Sequence, residues 1–118
     1  MTSTVRLSHA ARADIASILA RSTEQFGEAA SRRYQTLIAA AIRDAASDHP
    51  LGRTDRPELG QGVFTWHLAQ SRRHVAGSAV RRPRHFLVCR RDADVLLISR
   101  VLHDAMDPER HLGDRSAP

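Results

Sequence analysis

The sequence predicts an α+β domain of order β-α-α-β-β-β, a helical hairpin packed on one face of a small antiparallel sheet. Three observations carry that expectation. Two neighbouring segments in the first half place apolar residues at helical spacing, three segments in the second half read as strands, and hardly any chain separates the two helices. At 118 residues with 42% hydrophobic content, residues 1–118 are expected to form one domain able to bury a single core without cross-links.

Val5 and Leu7 alternate with Thr4 and Arg6, the pattern of a short strand with one buried face, and Ser8 is placed to cap the first helix. Ala11, Ile15, Ile18, Leu19 and Phe26 recur at helical spacing, so that helix should run from about His9 to Gln25 and stop near Gly27. Ala30, Tyr34, Leu37, Ile38, Ala41 and Ala45 form the stripe of a second helix, ended before Pro50. So short a connection requires an antiparallel hairpin, and Ala39, Ala40, Ala41, Ala45 and Ala46 would let it pack closely, although helix propensity alone accounts for them equally well.

From His49 to Gly62 the chain is rich in Pro, Gly and mixed charge, and should cross as a loop from the helices to the sheet. Phe64, Trp66 and Leu68 alternate with Thr65 and His67 as a strand; Phe86 to Cys89 and Val95 to Leu102 come after it as two more, joined through the turn residues Asp92, Ala93 and Asp94. The unbroken run Val95 to Ile98 reads as a strand buried on both faces. It hands over to a charged segment in which Asp107 is placed to cap a short closing helix at about 107–112, with Pro108 at its first position.

Charge is distributed unevenly. All 18 basic residues are arginine, for which genomic base composition is a sufficient explanation. Position is more informative. Between Gly60 and Arg91 there is no carboxylate, but there are seven arginines: Arg72, Arg73, Arg81, Arg82, Arg84, Arg90 and Arg91. The other 11 face 13 carboxylates, so the whole excess behind the net charge of +5 lies in this one segment, a field suited to polyanions or acidic partners. Four of those arginines flank a small-residue tip at Ala76 to Ala79, within a stretch from Ala69 to His85 that reads either as a protruding basic hairpin or as a loop.

Little in the sequence points to other chemistry. The single Cys89 sits in an apolar run and reads as a buried thiol, as expected in a reducing cytoplasm. Seven histidines show no paired zinc-ligand spacing, and neither a phosphate loop nor a nucleophilic triad can be singled out, so no metal or cofactor is expected. A plain nucleic-acid module would need stacking aromatics, but the alternation assigns Phe64, Trp66 and Phe86 to the core. No signal peptide and no run long enough to span a bilayer is evident, so the expectation is a soluble cytoplasmic protein without a membrane partner.

The C-terminal pattern Arg100-Val101-Leu102-His103, then Met106-Asp107, then Glu109-Arg110-His111-Leu112 completes a series begun by Leu7-Ser8 with Ala11 and Asp14, Phe26-Gly27-Glu28-Ala29 and Pro50-Leu51-Gly52-Arg53. In that order, over roughly residues 5–112, the series resembles the ParE branch of the RelE/ParE toxins of bacterial type II toxin–antitoxin pairs. The resemblance implies the same element order and a protein that binds and inhibits DNA gyrase with no chemistry of its own. Its implied partners are gyrase, the DNA that gyrase holds, and a ParD-like antitoxin whose tail folds on the toxin. The chain departs from the usual family pattern in the long stretch from Ala69 to His85.

The residues carried over to target or antitoxin binding are Arg100, His103, Met106, Asp107 and Arg110, beside the basic Arg72, Arg73, Arg81, Arg82 and Arg84. The competing reading of the signature is structural, with Arg100 paired to Asp104 or Asp107 and His103 capping a carbonyl. The functional alternative is the RelE type, a ribosome-dependent mRNA endonuclease. Here His103 would be the acid or base and Arg84 or Arg100 the phosphate-holding cation, with Asp104 and Asp107 opposing the approach of RNA.

Overall fold

The structure, a computed structural model, describes residues 4–47, 52–75, 80–106 and 108. Ser8 closes strand β1 (Thr4–Leu7) and opens helix α1 (His9–Phe26): its Oγ accepts the Ala11 N–H at 2.9 Å and donates to the Ser99 carbonyl at 2.7 Å. Gly27 alone joins α1 to α2 (Glu28–Ala46), and its φ of 91° is one that an L side chain resists. Ser31 Oγ ties the hairpin by donating to the Leu19 carbonyl at 3.1 Å. Ala40, Ala41, Ala45 and Ala46 are buried beneath α2 and let it lie close to the sheet, while Ala39 faces solvent.

The sheet contains β2 (Arg53–Asp55), β3 (Val63–His67), β4 (His85–Asp92) and β5 (Val95–His103) in the order β1-β5-β4-β3-β2. It departs from the expected antiparallel sheet in that β1 runs parallel to β5, with Thr4 opposite Val95 and Leu7 opposite Ile98. Parallel neighbours need a long crossover, and everything between the two strands supplies it. Strand β2 replaces part of the expected loop. Its three residues are all exposed, so no apolar alternation marks them; the ladder to β3 and the stacking of the Arg53 guanidinium 4.2 Å from the Phe64 ring centre hold it.

Alternation along the strands divides the apolar residues between two faces. Phe64, Trp66, Leu87, Cys89, Leu96, Ile98 and Val101 pack with Leu37, Ile38 and Ala41 beneath the helices. Val63, Phe86, Val88 and Leu102 form a smaller cluster on the other face, covered by Leu59 from the 3-10 turn Pro57–Leu59. Strand β5 is therefore not buried on both faces along the whole run: Leu96 and Ile98 are fully enclosed, but Val95 and Leu97 are half-buried because no helix covers their side. Phe26, expected on the apolar stripe of α1, lies 73% exposed at the hairpin tip, beyond the reach of the sheet. Burial raises the pKa of the Cys89 thiol and makes it inert. No helix among the described residues is long and apolar enough to cross a membrane.

One ion pair anchors α1. Pairing of β4 with β5 jumps from Val88–Arg100 to Cys89–Ile98, leaving Ser99 as a bulge whose hydroxyl donates to the Val88 carbonyl at 3.1 Å. Strand β1 has ended by this point, so the edge of β5 would be bare. Asp14 of α1 fills the gap: its carboxylate accepts the Val101 N–H at 2.9 Å and takes the Arg100 guanidinium through both Nε and Nη2, at 2.8 and 2.9 Å. Both side chains are less than 20% exposed. Arg100 thus pairs with Asp14, and not with Asp104 as the structural reading of the signature had it; Asp107 lies outside the described residues.

Of the short helix expected at 107–112 only Pro108 is described, in helical conformation; Asp107 and Arg110 lie outside the described residues, as does the tip at 76–79. Removing the anchor should be costly. Asp14→Ala would leave the Arg100 charge and the Val101 N–H unpaired near the core, so stability in urea unfolding should fall by about 2–3 kcal/mol. Arg100→Lys should recover little, because an ammonium cannot reproduce the fork. A loss below about 0.5 kcal/mol would class the pair with ordinary surface ion pairs.

Candidate functional site

The strand ends bring three histidines together. His67 ends β3, His85 begins β4 and His103 ends β5, and the antiparallel register puts His67 opposite Phe86 and His85 opposite His103. The His85 and His103 rings meet edge to face at 5.3 Å, and Tyr34 of α2 meets His85 on another side at 5.5 Å. Tyr34 Oη accepts the Arg84 N–H at 3.1 Å, so its own proton is directed to His85 Nδ1, 2.6 Å away. Burial, reinforced by His103, pushes the His85 imidazole down to about 4 and keeps it neutral. Burial likewise raises the Tyr34 phenol, against the Arg84 N–H.

Asp104 is the charged hub. Its backbone N–H donates to the Arg84 carbonyl at 2.8 Å, and its carboxylate lies 3.3 Å from both Arg84 Nε and His67 Nε2. Burial pushes its pKa up, but the bonds from His67 and Arg84 outweigh this and hold it below the usual range. Backbone capping sets the histidine tautomers. His67 Nδ1 accepts the Ala69 N–H and His103 Nδ1 accepts the Ala105 N–H, both at 3.1 Å, which leaves each ring's proton on Nε2. His103 thus caps a backbone N–H, whereas the structural reading of the sequence had it capping a carbonyl.

The basic stretch is not the protruding hairpin that the sequence allowed. Leu68–His74 winds as a 3-10 helix, with His67 at its N-cap, and lies against α2. Ser71 is completely buried, accepting from Trp66 Nε1 at 3.0 Å and donating to Asp44 at 2.6 Å, and the same Asp44 oxygen meets His74 Nδ1 at 2.6 Å. Arg72 then lines a small cleft with Leu37, Val75 and Val80, so the two limbs of the stretch converge on α2. Arg72, Arg73, Arg81 and Arg82 are exposed and have no carboxylate partner among the described residues.

The eight described residues among those expected to bind target or antitoxin do not form one constellation. Arg84 holds Asp104 with His103 beside it, Arg100 sits apart on Asp14, Met106 is 43% exposed beyond β5, and the four outer arginines form a separate surface. Tyr34, His67, His85 and Asp44 escaped the sequence reading. One signal could have found the histidines: each stands at the boundary of a strand pattern, and in an antiparallel meander these boundaries meet at one end of the sheet.

His85 generates a pH prediction. Its folded-state pKa, about 4, lies below the unfolded value of 6.5, so the unfolded chain binds the proton more readily between these limits. The stability held above pH 6.5 should be lost progressively as the pH falls toward 4, and His85→Gln should flatten this part of the stability–pH curve, measured by urea unfolding. An unchanged slope would mean that His85 titrates normally in the fold.

A family model, the ParE toxin of the type II toxin–antitoxin system parDE, matches residues 5–108, from β1 to beyond the Asp104 hub. No curated protein is similar enough to match. Among solved structures the chain is similar to one described as "Chromosomal ParDE TA system from P. aeruginosa", with 17% identity, coverage of 86% of this chain and 96% of that one, and a TM-score of 0.64, a likeness that speaks for the fold. The family match takes in nearly all of the described elements, and the chain belongs to the ParE toxin family of type II toxin–antitoxin systems.

Proposed function

We propose that this ParE-family chain acts in the cytoplasm by binding and inhibiting DNA gyrase, without a reaction of its own, and is silenced by a cognate ParD-like antitoxin. One observation separates this reading from a ribosome-dependent mRNA endonuclease: each group that such a nuclease would use here is already engaged. Asp14 holds the Arg100 guanidinium through two bonds, Asp104 holds Arg84, and His103 Nδ1 accepts a backbone N–H beside the same carboxylate. The Asp104 carboxylate, 3.5 Å from His103 Nδ1, opposes a phosphate approaching that ring. Cleavage needs the opposite arrangement, an unblocked base and cations aimed at the phosphate oxygens.

The proposal is tested by producing the toxin alone and following two activities. Supercoiling by gyrase should fail while translation continues. His103→Ala should leave toxicity largely intact, because loss of one contact weakens binding modestly, whereas loss of a general acid or base would reduce cleavage by on the order of a hundredfold or more. Ribosome-bound transcripts cut at defined positions by the parent but not by His103→Ala would establish the nuclease instead.

Antitoxin capture carries its own expectation. With a net charge of +5, the toxin should attract an acidic tail from a distance, so the association rate should fall as salt rises. A rate insensitive to ionic strength would mean that charge does not guide capture.

A further inference from the structure

We propose that the arginine surface made by Arg72, Arg73, Arg81 and Arg82, with Arg33 of α2 beside it, docks on the sugar–phosphate backbone of duplex DNA. The inference needs no gyrase and stands apart from the target assigned above. It begins with how the surface is held. Three contacts lay the basic stretch along α2: Tyr34 Oη accepts the Arg84 N–H at 3.1 Å, Leu37 lines a cleft with Arg72, Val75 and Val80, and Asp44 accepts from Ser71 at 2.6 Å. Both limbs are thereby brought to one side of the helix. Arg33 is exposed one turn before Leu37, on the same side of α2.

Like charges gathered in this way repel one another, and the fold does not relieve them. Asp44 is occupied by Ser71 and His74, and Asp104 by Arg84 and His67. None of the five arginines has an ion-pair partner among the described residues. The guanidinium fork matches phosphate oxygens, and an unshared cationic field attracts a polyanion over a Debye length.

The shape of the surface favours duplex over the other polyanions. An amphipathic acidic peptide needs a groove for its apolar side chains, but the cleft at Leu37 has a volume of only about 10 Å³, too small for a side chain. Single-stranded nucleic acid needs aromatic faces to stack on; Phe64, Trp66 and Phe86 are buried, the Tyr34 hydroxyl is held by His85 and Arg84, and the exposed Phe26 stands outside the basic stretch, at the turn between α1 and α2. What remains is a charged exterior, which reads backbone and not sequence. The other arginine-bearing concavity, on the uncovered sheet face with Arg6 and Arg90, includes the carboxylate of Asp92 and the apolar Val95 and Leu97, and is a poorer match for phosphate.

The test measures binding of the full chain to a fluorescent mixed-sequence duplex of about 30 base pairs by anisotropy. Five phosphate contacts predict that affinity falls about 500-fold between roughly 50 and 200 mM salt. Two variants carry equal net charge, reduced by four from +5 to +1. Substituting Gln for Arg72, Arg73, Arg81 and Arg82 should abolish most of the affinity and leave a salt dependence of only a few-fold. Substituting Gln for Arg6, Arg12, Arg21 and Arg90 should retain most of both. Far-ultraviolet circular dichroism and thermal unfolding should show all three proteins folded alike. Equal losses in the two variants would mean that net charge alone drives binding, and a larger loss in the second would move the site away from the basic stretch, to the surfaces of α1 and the open sheet face that carry those four arginines. Tighter binding of oligothymidine than of duplex, or of a polyglutamate peptide than of either, would also overturn the proposal.

Discussion

The Asp14–Arg100 pair is the contact on which the arrangement of this fold depends. Strand β1 ends opposite Ile98, and the bulge at Ser99 turns the next part of β5 toward an edge with no neighbour. A carboxylate from the second turn of α1 supplies the missing acceptor and neutralises the arginine beside it. Once α1 is held there, Gly27 and the Ser31–Leu19 bond set the position of α2. The placement of α2 then determines where Tyr34 meets His85, where Leu37 meets Arg72 and where Asp44 receives Ser71. An interaction remote from every candidate binding residue except Arg100 itself thus governs their geometry.

Three carboxylates are each committed to a joint. Asp14 stabilises the helix–sheet junction, Asp44 holds the 3-10 helix to α2, and Asp104 joins the strand ends. Arg72, Arg73, Arg81 and Arg82 lie outside these contacts, with no ion-pair partner among the described residues. The positive excess seen in the sequence therefore becomes a surface with a definite boundary, and the histidine cluster beside it is comparatively screened. His85 is neutral through burial, and His67 and His103 serve backbone donors, so this group has the character of a structural joint between the strand ends.

This division clarifies how a family signature should be read. The segment from Arg100 to His103 carries much of the resemblance, yet Arg100 faces α1 and His103 caps its own turn. Such residues can recur in a family because they build the fold, while binding rests on others. The four outer arginines lie in the stretch where this chain departs from the usual pattern, so their role has to be argued from their own geometry.

The sequence by itself determined the two helices and four of the five strands in their order, the Ser8 cap and most of the core. Ser8, the stripe on α2 and the alternation at Phe64 and Trp66 are local signals, and local backbone preferences act on them directly. Strand β2 was hidden because three exposed residues carry no periodicity, and Phe26 misled because helical spacing does not tell where the sheet ends. Tertiary structure alone decided the parallel pairing of β1 with β5, the partner of Arg100, the Tyr34–His85 bond and the convergence of the arginine limbs on α2. These contacts join residues between 27 and 91 positions apart, and their geometry depends on how the layers pack, which no local preference specifies.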